Sequence, residues 1–447
     1  MANIYVSFLG TNDYLECIYC GDGLEPVGPV RFVQQATIKN NCSTWGADDR
    51  ILIFTTEEAE RKNWLDNGHR NKEGKILERK GLRCCIGKME LSVPHENVTI
   101  PEGYSEDEIW QIFKRLNDCL CPGDNVVFDI THALRSIPLV AVVVLNYAKA
   151  LKHVSLRGIY YGAFEALGSY DQVKAMEVES RKVRILDLTA LDQLMDWTVA
   201  THRFLESGDA RMAGALAAAS VRSILKETRG KDREADTIRK LGTELHRFSD
   251  MLSTCRGQEI TAVAAALKEQ VQQCRGLDLL PPFRPLFDTI EKRLEKFAGD
   301  DLRQGLTAVR WCLDHGLIQQ GFTFLEELLF SYVVLGVGAD PLDTTLRDVA
   351  SQAFTLVNRK WDDTPEQWYS PAKDHPDTTR RMIGFIQAQG NLCQEVEKVR
   401  SARNDLNHAG FCRNCIRARD GRRFGEKLRS SLDAVEKLFE GDPSHRA

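Results

Sequence analysis

Strongly apolar, β-branched runs occur only in the first part of the chain, and this distribution constrains the fold more than any other feature. Five such runs precede residue 190, and helical stretches separate them: NIYVSFLG, DRILIFTT, DNVVFDIT, SLRGIYYGAF and KVRILDLT. Their near-continuous hydrophobicity is typical of strands covered on both faces, so we predict a parallel sheet with helices on either side. After LDLTALDQLMDW the pattern is almost entirely helical. The sequence therefore predicts an α/β domain over 1–188 and an all-α domain over 189–447, with 226–300 as a candidate helical insertion.

One helix of the α/β half has an unusual composition. The segment IPLVAVVVLNYA, which includes Leu139, Val143 and Tyr147, is apolar nearly all round. We predict that this helix is buried. The run is interrupted by Asn146 and is too short to span a bilayer, and the N-terminus lacks the pattern of a signal peptide. A cytoplasmic protein without a membrane contact is expected.

Charge bears on the partners of the chain. The net charge of -5 gives no global attraction to nucleic acid, so a polyanion site requires a local basic patch. Between Lys398 and Arg429 there are ten Lys or Arg residues against three acids, a local balance of +7. This patch, which we call the basic patch, marks the candidate surface for RNA backbone.

Cysteine usage gives a weaker signal. The thirteen cysteines show no regular framework spacing, and free thiols are expected in a reducing cytosol. Two C-x2-C pairs occur, Cys17/Cys20 and Cys412/Cys415, in different halves of the chain. A shared zinc site that joins them is a minor alternative, and we predict no metal site.

Two predicted strands of the α/β half end in small, polar residues. The first end is SFLGTND and the second is FDITHALRSIP. In an open parallel sheet, ligands bind outside the carboxyl ends of strands. We predict ligand contacts from both ends, through hydroxyl and amide groups, close backbone approach and one guanidinium: Ser7, Gly10, Thr11, Asn12, Thr131, His132 and Arg135. Asp129 is expected to order its loop through backbone N–H groups. The structural alternative is that Thr131 caps a helix and Arg135 is solvated.

The helical half contains RNDLNH, an arginine followed five residues later by a histidine. Spacing alone decides nothing, because RWCLDH, Arg310 to His315, has the same spacing. Arg403 and His408 would lie about 140° apart on a continuous helix. The two side chains can approach each other more closely if the helix ends near His408, and Gly410 is predicted to end it. We interpret Arg310/His315, which lies in an apolar amphipathic context, as structural.

The two strand ends resemble the nucleotide-sensing CARF domain of accessory ribonucleases in type III CRISPR systems. The resemblance covers roughly the first 185 residues, and D-I-T-H-x-x-R-S-x-P is its more specific part; Ala133 stands where that family often has glycine. It implies a dimeric Rossmann-like sensor that binds a cyclic oligoadenylate, with the tetra-adenylate ring expected ahead of the hexa-adenylate. RNDLNH in turn resembles the catalytic motif of HEPN ribonucleases, and QQGFTFLEE resembles a helix of the same bundle.

These resemblances imply an antiviral, cyclic-oligoadenylate-activated endoribonuclease that cuts single-stranded RNA as a homodimer or higher even oligomer, without a catalytic cofactor. His408 would move protons, Arg403 would stabilise charge on the phosphorane, and Asn404 would orient His408 or the phosphate. Three alternatives stay open. RNDLNH is a capped helix end in a basic surface, the helical half binds RNA or a protein without cutting, or the sensor domain also hydrolyses its ligand.

Overall fold

The computed structural model describes residues 1–66, 68–71, 73–132, 137–277, 284–297, 302–360, 364–411, 415–416 and 420–441. The chain forms two compact units, Met1–Gln193 and Leu194–Ala447. All described strands belong to the first unit, and the second is helical. The predicted order of an α/β region before a helical region is therefore present.

The first unit contains one sheet of eight described strands: β1 (Asn3–Leu9), β2 (Cys17–Gly21), β3 (Leu24–Val30), β4 (Arg50–Thr55), β5 (His95–Thr99), β6 (Asn125–Asp129), β7 (Ser155–Gly162) and β8 (Lys182–Asp187). Their order across the sheet is β3-β2-β8-β7-β6-β1-β4-β5. The strands from β7 through β5 run parallel, whereas β8 is antiparallel to β7 and β3 is antiparallel to β2. All five predicted strands are present, as β1, β4, β6, β7 and β8.

The prediction of a purely parallel sheet is wrong at the β7–β8 pair. Residues 163–181, which link these strands, contain only short helical turns. A parallel return to the same sheet usually needs a longer crossover helix. Of the three strands that the pattern missed, β5 reads HENVT, with few apolar residues, and β3, which lies at the sheet edge, reads LEPVGPV, with two prolines. The third, β2, reads CIYCG, which is apolar but short.

Six α-helices of the described chain lie wholly within the α/β unit: α1 (Val33–Cys42), α2 (Glu57–Ala59), α3 (Leu82–Gly87), α4 (Glu106–Asp118), α5 (Ile137–Lys152) and α6 (Tyr170–Lys174). Tyr5 of β1 packs in the same apolar cluster as residues of α1. The next residue, Val6, packs in a second cluster with residues of α4 and α5. Successive strand residues enter different cores, so helices cover both faces of the sheet, as predicted.

The prediction that α5 is buried all round is wrong. One face packs into the core, but four large apolar side chains at four-residue intervals are exposed: Leu139 by 70%, Val143 by 51%, Tyr147 by 46% and Leu151 by 61%. Phe113 of α4 stacks edge-on against Tyr147, with ring centroids 5.4 Å apart. We call these four residues the α5 apolar row.

The remaining helices are α7 (Thr189–Ser207), which spans the boundary of the units, α8 (Arg211–Ser220), α9 (Arg222–Glu227), α10 (Arg233–Ser253), α11 (Ile260–Arg275), α12 (Arg284–Leu294), α13 (Leu302–Asp314), α14 (Ile318–Gly336), α15 (Thr344–Arg359), α16 (Pro376–Ala388), α17 (Leu392–Asn407) and α18 (Arg422–Gly441). The segment 226–300 is built into their common core. Phe248 of α10 lies 5.4 Å from Trp311 between ring centroids, and Phe287 of α12 lies 5.9 Å from Trp197. This segment therefore belongs physically to the helical unit.

The described helices include none whose length and hydrophobicity suit a membrane span. Nor do the described residues hold a cluster of three or more His, Cys, Asp or Glu with metal-site spacing. Cys17 is buried in β2, and burial raises the pKa of its thiol to about 11. Cys412 lies outside the described residues, so the shared zinc alternative is not decided by these positions.

Candidate functional sites

The first candidate site lies where the sheet reverses its order. The chain places β4 and β5 on one side of β1 and then returns to place β6 and β7 on the other side. Ligands of open α/β sheets bind at such a switch point, beyond the carboxyl ends of the two central strands. Gly10 follows β1, and Thr131 follows β6. A Cβ atom at Gly10 would lie 3.4 Å from the His132 carbonyl oxygen, so the two predicted loops meet here, in what we call the crevice.

The loop after β1 is held by a residue that the sequence analysis missed. Asn63 is fully buried, and its Nδ2 donates to the carbonyl oxygens of Gly10 and Asn12, both at 2.8 Å. Its Oδ1 accepts from Arg31 Nη2 at 2.9 Å and lies 2.8 Å from His69 Nε2. One amide thereby fixes the loop backbone and leaves the loop side chains available.

The predicted contact residues of this loop differ in access. Asn12 is exposed and Thr11 is partly exposed, and neither side chain forms a hydrogen bond with a described residue. Ser7 is fully buried, and its hydroxyl accepts from Gln34 Nε2 at 3.2 Å. Ser7 lies within the strand, and its buried hydroxyl is not accessible to a ligand here, so the structure gives no support to its predicted ligand contact. Gly10 leaves room for the Tyr14 hydroxyl, which accepts from the Gly10 N–H at 3.0 Å.

Asp129 organises the second loop, as predicted. Its Oδ1 accepts from the Thr131 N–H at 3.0 Å and the Thr131 hydroxyl at 2.6 Å. Its Oδ2 accepts from the hydroxyls of Tyr5 at 3.0 Å and Thr37 at 2.8 Å. Burial raises the pKa of Asp129 despite these donors. Thr131 Oγ1 also accepts from the Gly162 N–H at 2.9 Å. Because the hydroxyl both donates and accepts within the protein, its observed role is to stabilise the loop.

His132 is the titratable group that faces the β1 loop. Its ring stacks on Tyr14 with centroids 4.1 Å apart, and its Nε2 is buried without a hydrogen-bond partner among the described residues. Burial lowers the pKa of His132 to about 3, so the imidazole is neutral at physiological pH. A neutral ring whose nitrogen lacks a hydrogen-bond partner has unused capacity to bond to a nucleobase or a ribose hydroxyl. Arg135 lies outside the described residues.

The second candidate site lies at the C-terminal end of α17. The His408 N–H donates to the Asn404 carbonyl at 2.9 Å, and the helix then stops at two left-handed residues, Ala409 with φ +50° and Gly410 with φ +76°. The predicted glycine stop is confirmed. His408 and Asn404 are exposed, and their side chains form no hydrogen bond or ion pair with any described residue. The structure thus shows no support for the prediction that Asn404 orients His408.

Arg403 is placed quite differently from His408. Its Nη1 lies 2.7 Å from Oε2 of Glu326, which is 2% exposed on α14, within the predicted QQGFTFLEE helix. The contact is ionic and lacks hydrogen-bond alignment, and Arg403 Nε is also buried without a hydrogen-bond partner in the described chain. Arg400, one helical turn earlier, reaches the other oxygen of Glu326 with its Nε at 3.3 Å. Sequence reasoning missed Glu326, whose one signal is a carboxylate inside an apolar run.

The basic patch is less open than its charge count suggests. Arg400 is ion-paired with Glu326, and Lys398 Nζ lies 2.6 Å from Glu395. Arg413, Arg417 and Arg419 lie outside the described residues. Four further cations of the patch are exposed on α18, of which Arg423 lies 3.9 Å from Asp420: Arg422, Arg423, Lys427 and Arg429. These four supply the described surface on which an RNA backbone could rest near α17.

Further contacts connect α14 with the end of α17 and with the turn between α10 and α11. Gln319 of α14 donates to the Asn407 side chain at 3.2 Å. The turn between α10 and α11 lies against α14: burial raises the pKa of Cys255 in this turn, and a hydrogen bond with the Thr323 side chain of α14 opposes that rise. A Cβ at Gly257 in the same turn would lie 3.2 Å from the Phe324 ring. Part of the segment 226–300 therefore packs on α14, the helix that carries Glu326.

The rival pair has the features of a structural element. His315 is 8% exposed, its ring stacks on Trp311 with centroids 4.2 Å apart, and its Nδ1 lies 2.8 Å from the Trp311 carbonyl. Arg310 is ion-paired with Glu436 of α18. Burial lowers the pKa of His315. These contacts support the structural interpretation of RWCLDH.

The chain matches none of the known protein-family profiles. It is similar to the CRISPR-associated protein MJ1674 of Methanocaldococcus jannaschii, with 24% identity over 236 residues. The match covers 52% of this chain and 33% of that protein, so the chain spans about a third of its relative. The relative is CRISPR-associated by name.

Proposed function

We propose that this protein acts in CRISPR defence as a cyclic-oligoadenylate-activated, metal-independent endoribonuclease that cuts single-stranded RNA. The observation that carries the proposal is the end of α17, where a permanently charged arginine is ion-paired with a buried carboxylate and a histidine five residues later is exposed, without a partner among the described residues. The similarity to a CRISPR-associated protein supports the role in CRISPR defence. The resemblance to CARF and HEPN sequences is the basis for proposing the activator and the cleavage reaction.

The reaction needs only the groups that Arg403 and His408 provide. A base removes the proton of the RNA 2'-hydroxyl, the 2'-oxygen bonds to phosphorus, and the bond from phosphorus to the 5'-oxygen breaks as an acid protonates that oxygen. Histidine suits both proton transfers, and arginine stabilises the phosphorane charge. The products are a 2',3'-cyclic phosphate and a 5'-hydroxyl.

Two copies of the motif would complete this chemistry. No hydrogen bond joins Arg403 to His408 in the described chain, and one histidine cannot be base and acid in the same step. A two-fold dimer brings a second histidine to the cleft. The α5 apolar row supports pairing with a second copy, since its exposed apolar face lies on the helix that follows the crevice loop.

Activation requires that the ligand bind one arrangement of the dimer more tightly than the other. The crevice offers the side chains of Thr11 and Asn12 to such a ligand, and the buried Nε2 of neutral His132 could also bond to it if the ligand displaces the atoms that cover this nitrogen. A cyclic oligoadenylate presents bases, ribose hydroxyls and phosphates to these groups. The ligand is an activator and takes no part in the cleavage step.

The test is cleavage of a labelled single-stranded RNA in EDTA, with cyclic tetra-adenylate, cyclic hexa-adenylate, linear tetra-adenylate or no addition. We expect cutting with a cyclic ligand alone, and products that end in 2',3'-cyclic phosphate. RNA binding without cutting under every condition would contradict the proposal and favour a non-catalytic sensor. Loss of the cyclic ligand during the incubation would show that the protein also degrades its activator.

A further inference from the structure

We propose that Glu326 is a positioning residue that holds the Arg403 guanidinium in the orientation required to contact the scissile phosphate. The inference rests on the proposed ribonuclease function and extends it to a residue outside the RNDLNH motif. Glu326 contacts no substrate atom in this account and acts entirely through Arg403.

The surroundings of Glu326 are apolar. It is 2% exposed on α14, and its neighbours Phe322, Leu325 and Leu329 along the helix are fully buried. An ionised carboxylate in such a place needs compensating charge. Two guanidinium groups supply it, with Arg403 at 2.7 Å and Arg400 at 3.3 Å. The cluster keeps a net positive charge, which remains available to an anionic substrate.

Arg400 and Arg403 depend on Glu326 to different degrees. Arg400 also donates from Nη2 to the Ser351 hydroxyl at 3.1 Å, approaches Thr355 Oγ1 at 3.4 Å and lies over the Phe330 ring at 5.6 Å. Arg403 has no other charged or hydrogen-bonding partner among the residues that the structure describes. Glu326 therefore sets the orientation of Arg403, whereas Arg400 is fixed independently.

The geometry leaves one edge of Arg403 for phosphate. Nη1 lies against Glu326 and Nε is buried, whereas the side chain as a whole is 31% exposed, which leaves Nη2 as the nitrogen that can face solvent. A guanidinium held in this way can present its Nη2 N–H groups to a phosphate oxygen with little further ordering. Fixing the group in this way lowers the barrier through orientation.

The experiment compares Glu326→Gln with Glu327→Gln in activator-saturated RNA cleavage. Glu327 is the matched control, because it is the next residue of α14 but is half-exposed and ion-paired with Arg347. We expect Glu326→Gln to lower kcat about 100-fold with little change in KM, the loss expected when a reacting group is misplaced by about 1 Å. Glu327→Gln should cut as fast as wild type.

Two further variants separate positioning from a general structural role. Glu326→Asp keeps the buried charge and so preserves the fold, but retracts the carboxylate, and should lower kcat to an intermediate value. In an Arg403→Ala background, Glu326→Gln should change the residual rate less than about twofold, because the two residues act as a unit.

The possible results are distinct. The inference would be overturned if Glu326→Asp and Glu326→Gln both kept the wild-type kcat. It would also be overturned if Glu326→Gln lowered the cleavage rate of Arg403→Ala by the same factor as it lowers that of the wild type. Either result would leave the ribonuclease function intact. Absence of cleavage by the wild type would overturn the proposed function and the inference together. Reduced kcat in the Glu326 variants alone, with thermal midpoints like that of Glu327→Gln, would establish the positioning role.

Discussion

The crevice and the end of α17 are organised in opposite ways. In the crevice, the buried polar groups are joined within one chain: Asp129 accepts four hydrogen bonds and Asn63 fixes two loop carbonyls, while Thr11 and Asn12 point outward. At α17, Arg403 is anchored from below, but His408 has no described partner. The first arrangement holds its loops in place without a ligand. In the second, the arginine is fixed, whereas the proposed function would require a substrate or a second copy to engage the histidine.

The largest effect on RNA cleavage is expected from Arg403→Ala, which removes the anchored charge at the end of α17. Loss of a fixed positive charge from the transition state should lower kcat by about 10²–10³-fold. Arg403→Lys should restore little, because an ammonium lacks the planar fork. Arg310→Ala is the matched control from the rival motif and should cut within about twofold of wild type, since it removes only a surface ion pair. Equal losses in both variants, measured under activator saturation, would contradict the assignment.

A smaller effect is expected from Asn63→Ala in the crevice. The change leaves the Gly10 and Asn12 carbonyls and the Arg31 donor without their partner, at a cost of about 2 kcal/mol in the free energy of unfolding. The loosened loop should also bind cyclic oligoadenylate at least about tenfold more weakly by calorimetry. Asn40→Ala, on α1, should lose stability through its own contacts with Glu25 but bind the activator normally. Unchanged activator affinity in Asn63→Ala would show that the loop is not part of the ligand site.

The smallest effect concerns the pH dependence of His132. Its pKa is about 3 in the folded protein and about 6.5 in an unfolded chain, so its contribution to stability is full above pH 6.5 and is lost as pH falls. Between pH 7.5 and 5.5 the wild type should lose about 1.4 kcal/mol more than His132→Gln, as measured by urea unfolding. Parallel losses in the two proteins would mean that His132 is protonated in the folded state.

Sequence patterns predicted the parts of both sites that are local in the chain. The apolar runs identified β1 and β6 and hence the polar loops at their ends, and Gly410 identified the end of α17. Glu326 and Asn63 were missed because each acts on residues more than fifty positions away, and no local pattern encodes that contact. The burial of Ser7 was missed because a small polar residue at a strand end gives no signal of its direction. The α5 apolar row was misjudged because composition alone does not show which face of an apolar helix the sheet covers.

The most direct test of the central claim compares His408→Ala with His202→Ala, an exposed histidine of α7, in single-turnover cleavage of labelled RNA in EDTA with saturating cyclic oligoadenylate. General acid and base catalysis by His408 predicts a rate at least about 10²-fold below wild type in His408→Ala and a wild-type rate in His202→Ala. Undiminished, ligand-dependent cutting by His408→Ala would contradict the assignment of RNDLNH as the active site.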